Sequence, residues 1–461
     1  MSSWATRISA VLARKRPEQS GNLLEDSLWS LLLRLSPPGI LSMAMVSLNA
    51  LLDAIYLGQF VGAEALAGVS LLLPLTTLLA SVVGWIATGA ASVLSRALGA
   101  GDASVAGKIF NQVLSLSLLA SGLLMGLGYG FSDSLVGLMG GNGEALGYGK
   151  DYLMVWLGGS FFTIFGMASN ALIRSEGKMK KAMVFAGISV LVDSLLTPLL
   201  VQGLGWGVRG TALSTVLSMA LYALLTGLYF VHKKPAYSLD KIRVQVHPSI
   251  LQPILAIGLS AFVMQSTNFV RQLFIFQSMA YYASSAQLAF FSAVFRIFSF
   301  ALIPVFGVLQ ALQPVAGVNF GAKNYQRSIK AVQVFSWGGI AVLLPVWLPT
   351  ILFPQLALSV LLPDTVFSAH DLANFRWVML SLPFTPLAST GIVFFQATGQ
   401  AKRASLLTFG RQAFLFIPLI LLLPRYYAVD GIYYCLALEN TLWILIVCGV
   451  RMRAFSQLSR Y

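Results

Sequence analysis

Apolar stretches long enough to cross a bilayer recur along the whole chain, separated by short polar turns. Leu71–Ser95, Ile109–Phe131 and Ala331–Pro363 hold no charged residue, and each exceeds the roughly 18 residues that mark a spanning helix. The pattern predicts twelve spans, near 28–57, 68–95, 109–131, 150–173, 182–202, 207–231, 249–280, 285–317, 329–353, 368–396, 404–424 and 430–450. A buried helix of a soluble protein does not recur a dozen times, so the chain reads as an all-α integral membrane protein.

Composition agrees. Of the 461 residues 57% are hydrophobic and only 10% charged, against about 25% charged in soluble domains. The net charge of +14 would suit a nucleic-acid partner, but its distribution argues for topology instead. The N-terminal segment, the 96–108, 174–181, 323–330 and 402–403 turns, the 232–248 stretch and the C-terminus together carry 22 of the 30 Lys and Arg. The connections between carry only Lys150, Arg209, Arg376 and Arg425. Basic residues gather on the cytoplasmic side of membrane proteins, so both termini are expected in the cytoplasm of a multi-pass plasma (inner) membrane protein. The first 26 residues place Arg7, Arg14, Lys15 and Arg16 among Trp4, Ile8, Val11 and Leu12. That pattern suits a helix on the inner leaflet or a simple positive anchor.

The chain is also written twice. Ser47–Leu48–Asn49 returns as Ser266–Thr267–Asn268, 219 residues on. Leu98–Gly99–Ala100–Gly101–Asp102 returns as Phe320–Gly321–Ala322–Lys323–Asn324, and Glu176–Gly177–Lys178 as Thr398–Gly399–Gln400, both at an offset of 222. Gly207–Val208–Arg209–Gly210 matches Ala428–Val429–Asp430–Gly431 at 221. Four ordered matches at a near-constant offset imply two six-helix halves, 1–231 and 249–461, joined by a cytoplasmic linker at 232–248. An even count per half keeps the halves parallel, with the pseudo-two-fold axis along the membrane normal and the substrate between them.

Charges within spans cost roughly 2.5–3.5 kcal/mol each on insertion scales, so those that remain are functional candidates. In the first half these are Asp53, with Asn49 one turn behind it, and Asp193, with Ser189 and Thr197 one turn to either side. In the second half they are Glu439, beside Asn440, and the cations Arg271, Arg296 and Arg411, one of which is expected to pair with Glu439. A partly desolvated carboxylate pair can take up and release a proton, and with hydroxyl and amide oxygens it can equally coordinate Na⁺. Cys435 and Cys448 read as apolar packing, and His232, His247 and His370 have no ligand spacing. Neither an enzyme, a cofactor nor a nucleic-acid partner is expected; H⁺ or Na⁺ is the expected coupling ion, and a monomer the expected state.

Several stretches resemble the multidrug and toxic compound extrusion (MATE) family. They are Asp53–Ala54–Ile55–Tyr56–Leu57–Gly58, Asn170 with Arg174–Ser175–Glu176–Gly177, Gly207–Val208–Arg209–Gly210–Thr211, and Gln310–Ala311–Leu312–Gln313–Pro314 followed by Asn319–Phe320–Gly321–Ala322. The resemblance covers nearly the whole chain and is closest to the prokaryotic branch related to the DNA-damage-inducible members. It implies a V of two bundles around a central cleft, and export of amphiphilic, chiefly cationic, compounds in antiport with protons or sodium. It also implies an N-lobe site of Asp53, Asp193, Thr197, Thr215 and Asn170, in which the asparagine and aspartate usual on the fifth helix fall on Asp193 and Thr197. Arg296 fits a basic position common in the family. Pro38, after Pro37, removes a helix hydrogen bond; by resemblance it bends the first helix and couples Asp53 to the cleft, the alternative being a packing kink. The C-lobe arginines keep a second reading open, a flippase or exporter of a lipid-linked or anionic metabolite.

Overall fold

The computed structural model describes residues 23–139, 143–232, 242–363 and 365–459. The expected basic N-terminal helix at 1–22 and most of the 232–248 linker lie outside them. All regular structure in the described residues is helical. The membrane-spanning helices are α1 (Leu28–Phe60), α2 (Leu73–Ala100), α3 (Ala103–Gly130), and α4, a pair Gly143–Gly158 and Ser160–Ser175 bent by 52°. They continue with α5 (Met179–Gly203), α6 (Gly207–His232), α7 (Pro248–Tyr282), α8 (Ser285–Gly321), α9 (Tyr325–Leu352) and α10 (Ala369–Ala397). The last stretch, Ala401–Leu458, has 58 residues. Straight, it would run about 87 Å at 1.5 Å per residue, about twice the thickness of a bilayer with its headgroups. It breaks at Ala428 (φ 49°, ψ −128°) into α11 (401–427) and α12 (429–458), which completes twelve spans in two six-helix bundles.

The turns show the repeat residue by residue. Gly177 and Gly399 both have φ +78°, and each lets its chain turn back where an L side chain would be strained. Gly101 (φ 71°) is answered 222 residues later by Lys323 (φ 60°), and Gly207 (φ 52°) by Ala428 (φ 49°). The second half thus kept the backbone geometry of the first while losing two glycines. Ala428 lies close to a region that only glycine visits readily, so Ala428→Gly is expected to stabilise the protein by about 1 kcal/mol. Thermal unfolding in detergent, with a higher midpoint for the variant, checks this.

The halves meet where α1 crosses α8, α2 crosses α7, and α2 lies beside α8. Close approach there requires residues without a Cβ. A Cβ on Gly99 would stand 2.0 Å from the Val318 carbonyl oxygen, and one on Gly321 2.1 Å from that of Arg96. An offset of 222 turns either contact into the other. Likewise Gly39 faces the Gly307 carbonyl at 2.6 Å and Gly258 that of Trp85 at 1.8 Å, again mutual equivalents. The pseudo-two-fold axis runs between these pairs. The seal adds Trp85 Nε1 donating to the Leu255 carbonyl at 2.8 Å and Ser92 Oγ to that of Gln396 at 2.5 Å. These contacts use the second half of α2 and the first third of α7. The V is therefore closed at the end of the molecule that bears the Gly177 and Gly399 turns.

Pro37 and Pro38 sit inside a continuous α1, directly before the Gly39–Gly307 crossing. Pro38 thus stands where the first helix passes from the seal towards its free outer half.

Candidate functional site

In the N-lobe, α1 and α5 bring Asn49, Asp53 and Asp193 together. Asn49 and Asp53 are one turn apart on α1, so their side chains share a face. The Asn49 amide donates to Asp53 Oδ2 at 3.3 Å and to Asp193 Oδ2 at 2.7 Å. One amide nitrogen therefore links carboxylates 140 positions apart in the chain. Asp193 is 2% exposed and accepts further hydrogen bonds from Ser214 and Ser218 of α6. Thr197 is fully buried; its hydroxyl donates to the Asp193 backbone carbonyl at 2.9 Å and lies 2.7 Å from Ser214 Oγ. Ser189 Oγ donates to the Ser218 carbonyl at 3.0 Å and ties α5 to α6. The Thr215 hydroxyl donates to the Thr211 carbonyl at 3.2 Å and is also hydrogen-bonded with Tyr152 of α4, placing a phenol at the edge of the site.

Three oxygens of this group, Asn49 Oδ1, Asp53 Oδ1 and Asp193 Oδ1, are buried without a hydrogen-bond partner. Buried acceptors are ordinarily satisfied, and each exception asks for an explanation. A proton or a hard cation supplies what an acceptor lacks, and two carboxylates, an amide and nearby hydroxyls are oxygen donors that suit either. The donor set therefore fits a coupling ion.

Sequence reasoning missed Ser214, Ser218 and Tyr152. The two serines are spaced by four in the hydroxyl-rich run Thr211–Ala212–Leu213–Ser214–Thr215 and beyond, which was the available signal; Tyr152 gave none. Asn170, grouped with the pair by resemblance, is not brought to it. Its amide donates to the Ala182 carbonyl at 2.9 Å and its oxygen accepts from Arg174. Ala182 lies eleven residues before Asp193, about 16 Å along the helix. The asparagine joins the first turn of α5 to the end of α4, beside the buried Glu176, whose carboxylate accepts from the Tyr229 hydroxyl at 2.5 Å and pairs with Lys178 at 2.8 Å.

In the C-lobe, two arginines rather than one converge on Glu439. Arg271 Nη2 lies 3.0 Å from Glu439 Oε2. Arg411 reaches Glu439 Oε1 through Nε and Oε2 through Nη2 at 3.3 Å, and its Nη2 also donates to Asn440 Oδ1 at 3.1 Å. A π-helical turn, Arg411–Phe416, starts at this arginine; such bulges occur frequently at functional sites. Asn440 in turn donates to Ser381 Oγ at 2.7 Å, which fixes the far side of the cluster. Arg296 stands apart on α8, exposed and without an ion pair among the described residues.

The family model MatE matches residues 38–199 and again residues 260–422, once in each half. The chain belongs to the MATE family. A multidrug export protein, MepA of Staphylococcus haemolyticus, is 26% identical over 449 residues, covering 95% of this chain and 97% of that protein. A protein of Shewanella oneidensis described as an FAD transporter is 25% identical over 434 residues, covering 91% and 93%. Among solved structures, one of MATE in the bent conformation superposes with a TM-score of 0.90 at 23% identity, covering 96% of this chain and 98% of that one. An outward-facing multidrug resistance MATE transporter superposes at 0.86, with 24% identity and coverage of 95% and 98%. The fold is theirs: two lobes in a V about a central cleft, in a multi-pass membrane transporter.

Proposed function

We propose that this MATE transporter is a secondary active antiporter, exporting small amphiphilic compounds across the plasma membrane in exchange for protons or sodium. The observation that carries the reading is the Asn49–Asp53–Asp193 cluster, with three buried oxygens left without partners. Asp53 and Asp193 hold the ion, and Asn49, Thr197, Thr215 and the serines of α6 shape the cavity around it. With both termini in the cytoplasm, as the basic turns require, the sealed end of the V is cytoplasmic and the cleft faces outwards. In that state the acids exchange the ion with the outside. Occupancy of the site then favours rocking of the lobes about the glycine crossings, where Pro38 lets α1 bend. The export activity of the staphylococcal relative supports the direction of transport.

The test is transport by purified protein in proteoliposomes, with a pH gradient or a sodium gradient imposed separately. Accumulation of a fluorescent amphiphile driven by one of the two gradients is the expected result. Equal transport with and without either gradient would sink the mechanism.

A further inference from the structure

The repeat carries the acidic site of the N-lobe onto a definite place in the C-lobe. An offset of 222 takes Ser189 to Arg411, an offset of 221 takes Ser218 to Glu439, and an offset of 219 takes Leu52, beside Asp53, to Arg271. The correspondence is physical as well as numerical. Ser189 bonds α6 at Ser218, and Arg411 bonds α12 at Glu439. The helices α1, α5 and α6 of one lobe thus answer α7, α11 and α12 of the other, with their polar groups at equivalent depth. Only the sign differs. Two carboxylates stand in the N-lobe position, and two guanidiniums share one carboxylate in the C-lobe position.

That arithmetic leaves one positive charge uncompensated within the membrane. Glu439 is fully buried and its two oxygens are taken by Arg271 and Arg411. Isolated cations there are expensive and are kept for a purpose. Arg271 spends only Nη2 on the protein, and Arg411 spends Nε and Nη2. Their side chains remain 17% and 20% exposed, so the unused N–H groups are reachable. Both guanidiniums are also held in place: Arg411 lies over the Trp443 ring at 4.0 Å and Arg271 over the Phe416 ring at 5.2 Å. A pair of fixed guanidiniums with spare donors, bordered by aromatic faces, matches a planar or tetrahedral oxyanion on an apolar body.

We infer that Arg271 and Arg411 form a substrate subsite for the anionic group, carboxylate or phosphate, of an amphiphilic substrate. This names the substrate class of the transporter and rests on the cleft between the lobes being the transport path, but not on ion coupling at Asp53 and Asp193. A substrate held by its anion in the C-lobe leaves the N-lobe acids to the ion, so the two need not compete for one site.

Riboflavin and riboflavin 5′-phosphate (FMN) provide the test, because they differ by one phosphate on the same fluorescent ring. Binding to the purified full-length protein in nanodiscs, read by flavin anisotropy, is expected to favour the phosphate by about tenfold or more, the worth of a charge-assisted hydrogen bond. Arg271→Gln is expected to erase that preference while leaving riboflavin binding unchanged. The variant leaves Glu439 and Arg411 as a one-to-one pair, so the fold is expected to survive, as a melting curve will show. Arg411→Gln gives a second, independent variant. Equal affinity for the two flavins in the wild type, retention of neither, or a phosphate preference intact in both variants would each overturn the subsite. The phosphate preference is expected to persist in Asp53→Asn, so failure of ion coupling and failure of this subsite give different results.

Discussion

With Asp53 and Asp193 both changed to Asn, the protein is expected to lose all gradient-driven accumulation and keep only passive exchange. A single proton moving down 100 mV releases roughly 2.3 kcal/mol, and one pH unit adds roughly 1.4 kcal/mol. Together they sustain a substrate ratio of several hundred-fold; without a titratable or cation-binding carboxylate the ratio falls to one. Asparagine keeps the shape of each side chain and one acceptor oxygen, so the hydrogen bonds from Ser214 and Ser218 to position 193 can persist. What disappears is the charge. The buried oxygens of Asn49 and of positions 53 and 193 then share a neutral cavity that neither binds Na⁺ nor releases H⁺. Proteoliposomes loaded with a fluorescent amphiphile check this twice over. Counterflow without any gradient is expected to continue, which reports an intact fold, and accumulation against a gradient is expected to stop. Accumulation at the wild-type level in the double variant would remove the acidic pair from the mechanism.

Glu439→Gln is expected to produce the largest loss of stability of any conservative substitution in the C-lobe. The carboxylate is fully buried and bridges α7, through Arg271, with α11, through Arg411. Removing one partner of a buried ion pair costs about 3–5 kcal/mol, because the other charge stays behind without compensation. Here two cations stay behind, on different helices, and they repel each other. A sharply lower melting midpoint and a lower yield of monodisperse protein are the expected readings. Adding Arg271→Gln to Glu439→Gln removes one of the stranded cations, so the double variant is expected to melt above the single one. Such non-additivity is the signature of residues in one network. A Glu439→Gln protein that melts with the wild type would mean that the arginines draw no stability from it.

Much of this was legible before any coordinates. The uncharged runs gave the number and order of the spans, because insertion depends on the summed transfer free energy of about 20 residues and tolerates error in any one. The Gly101, Gly177 and Gly207 turns and their partners gave the duplication, because a backbone with positive φ restricts which residue can occupy it. Asp53 and Asp193 stood out because lipid leaves so few reasons to keep a carboxylate in a span.

The partnerships were not legible. Nothing in the sequence says that the Asn49 amide reaches both acids, that Ser214 and Ser218 point at Asp193, or that Asn170 turns instead to Arg174. Nor does it say that both Arg271 and Arg411 close on Glu439 while Arg296 stays apart. Each depends on how far a helix is rotated and tilted about its own axis. Packing against neighbouring helices sets that angle, here through glycine crossings as tight as Gly258 on Trp85. Hydropathy reads each residue's preference for lipid or water; only the assembled helices decide which polar group meets which, and so turn one duplicated plan into an acidic site in one lobe and a basic one in the other.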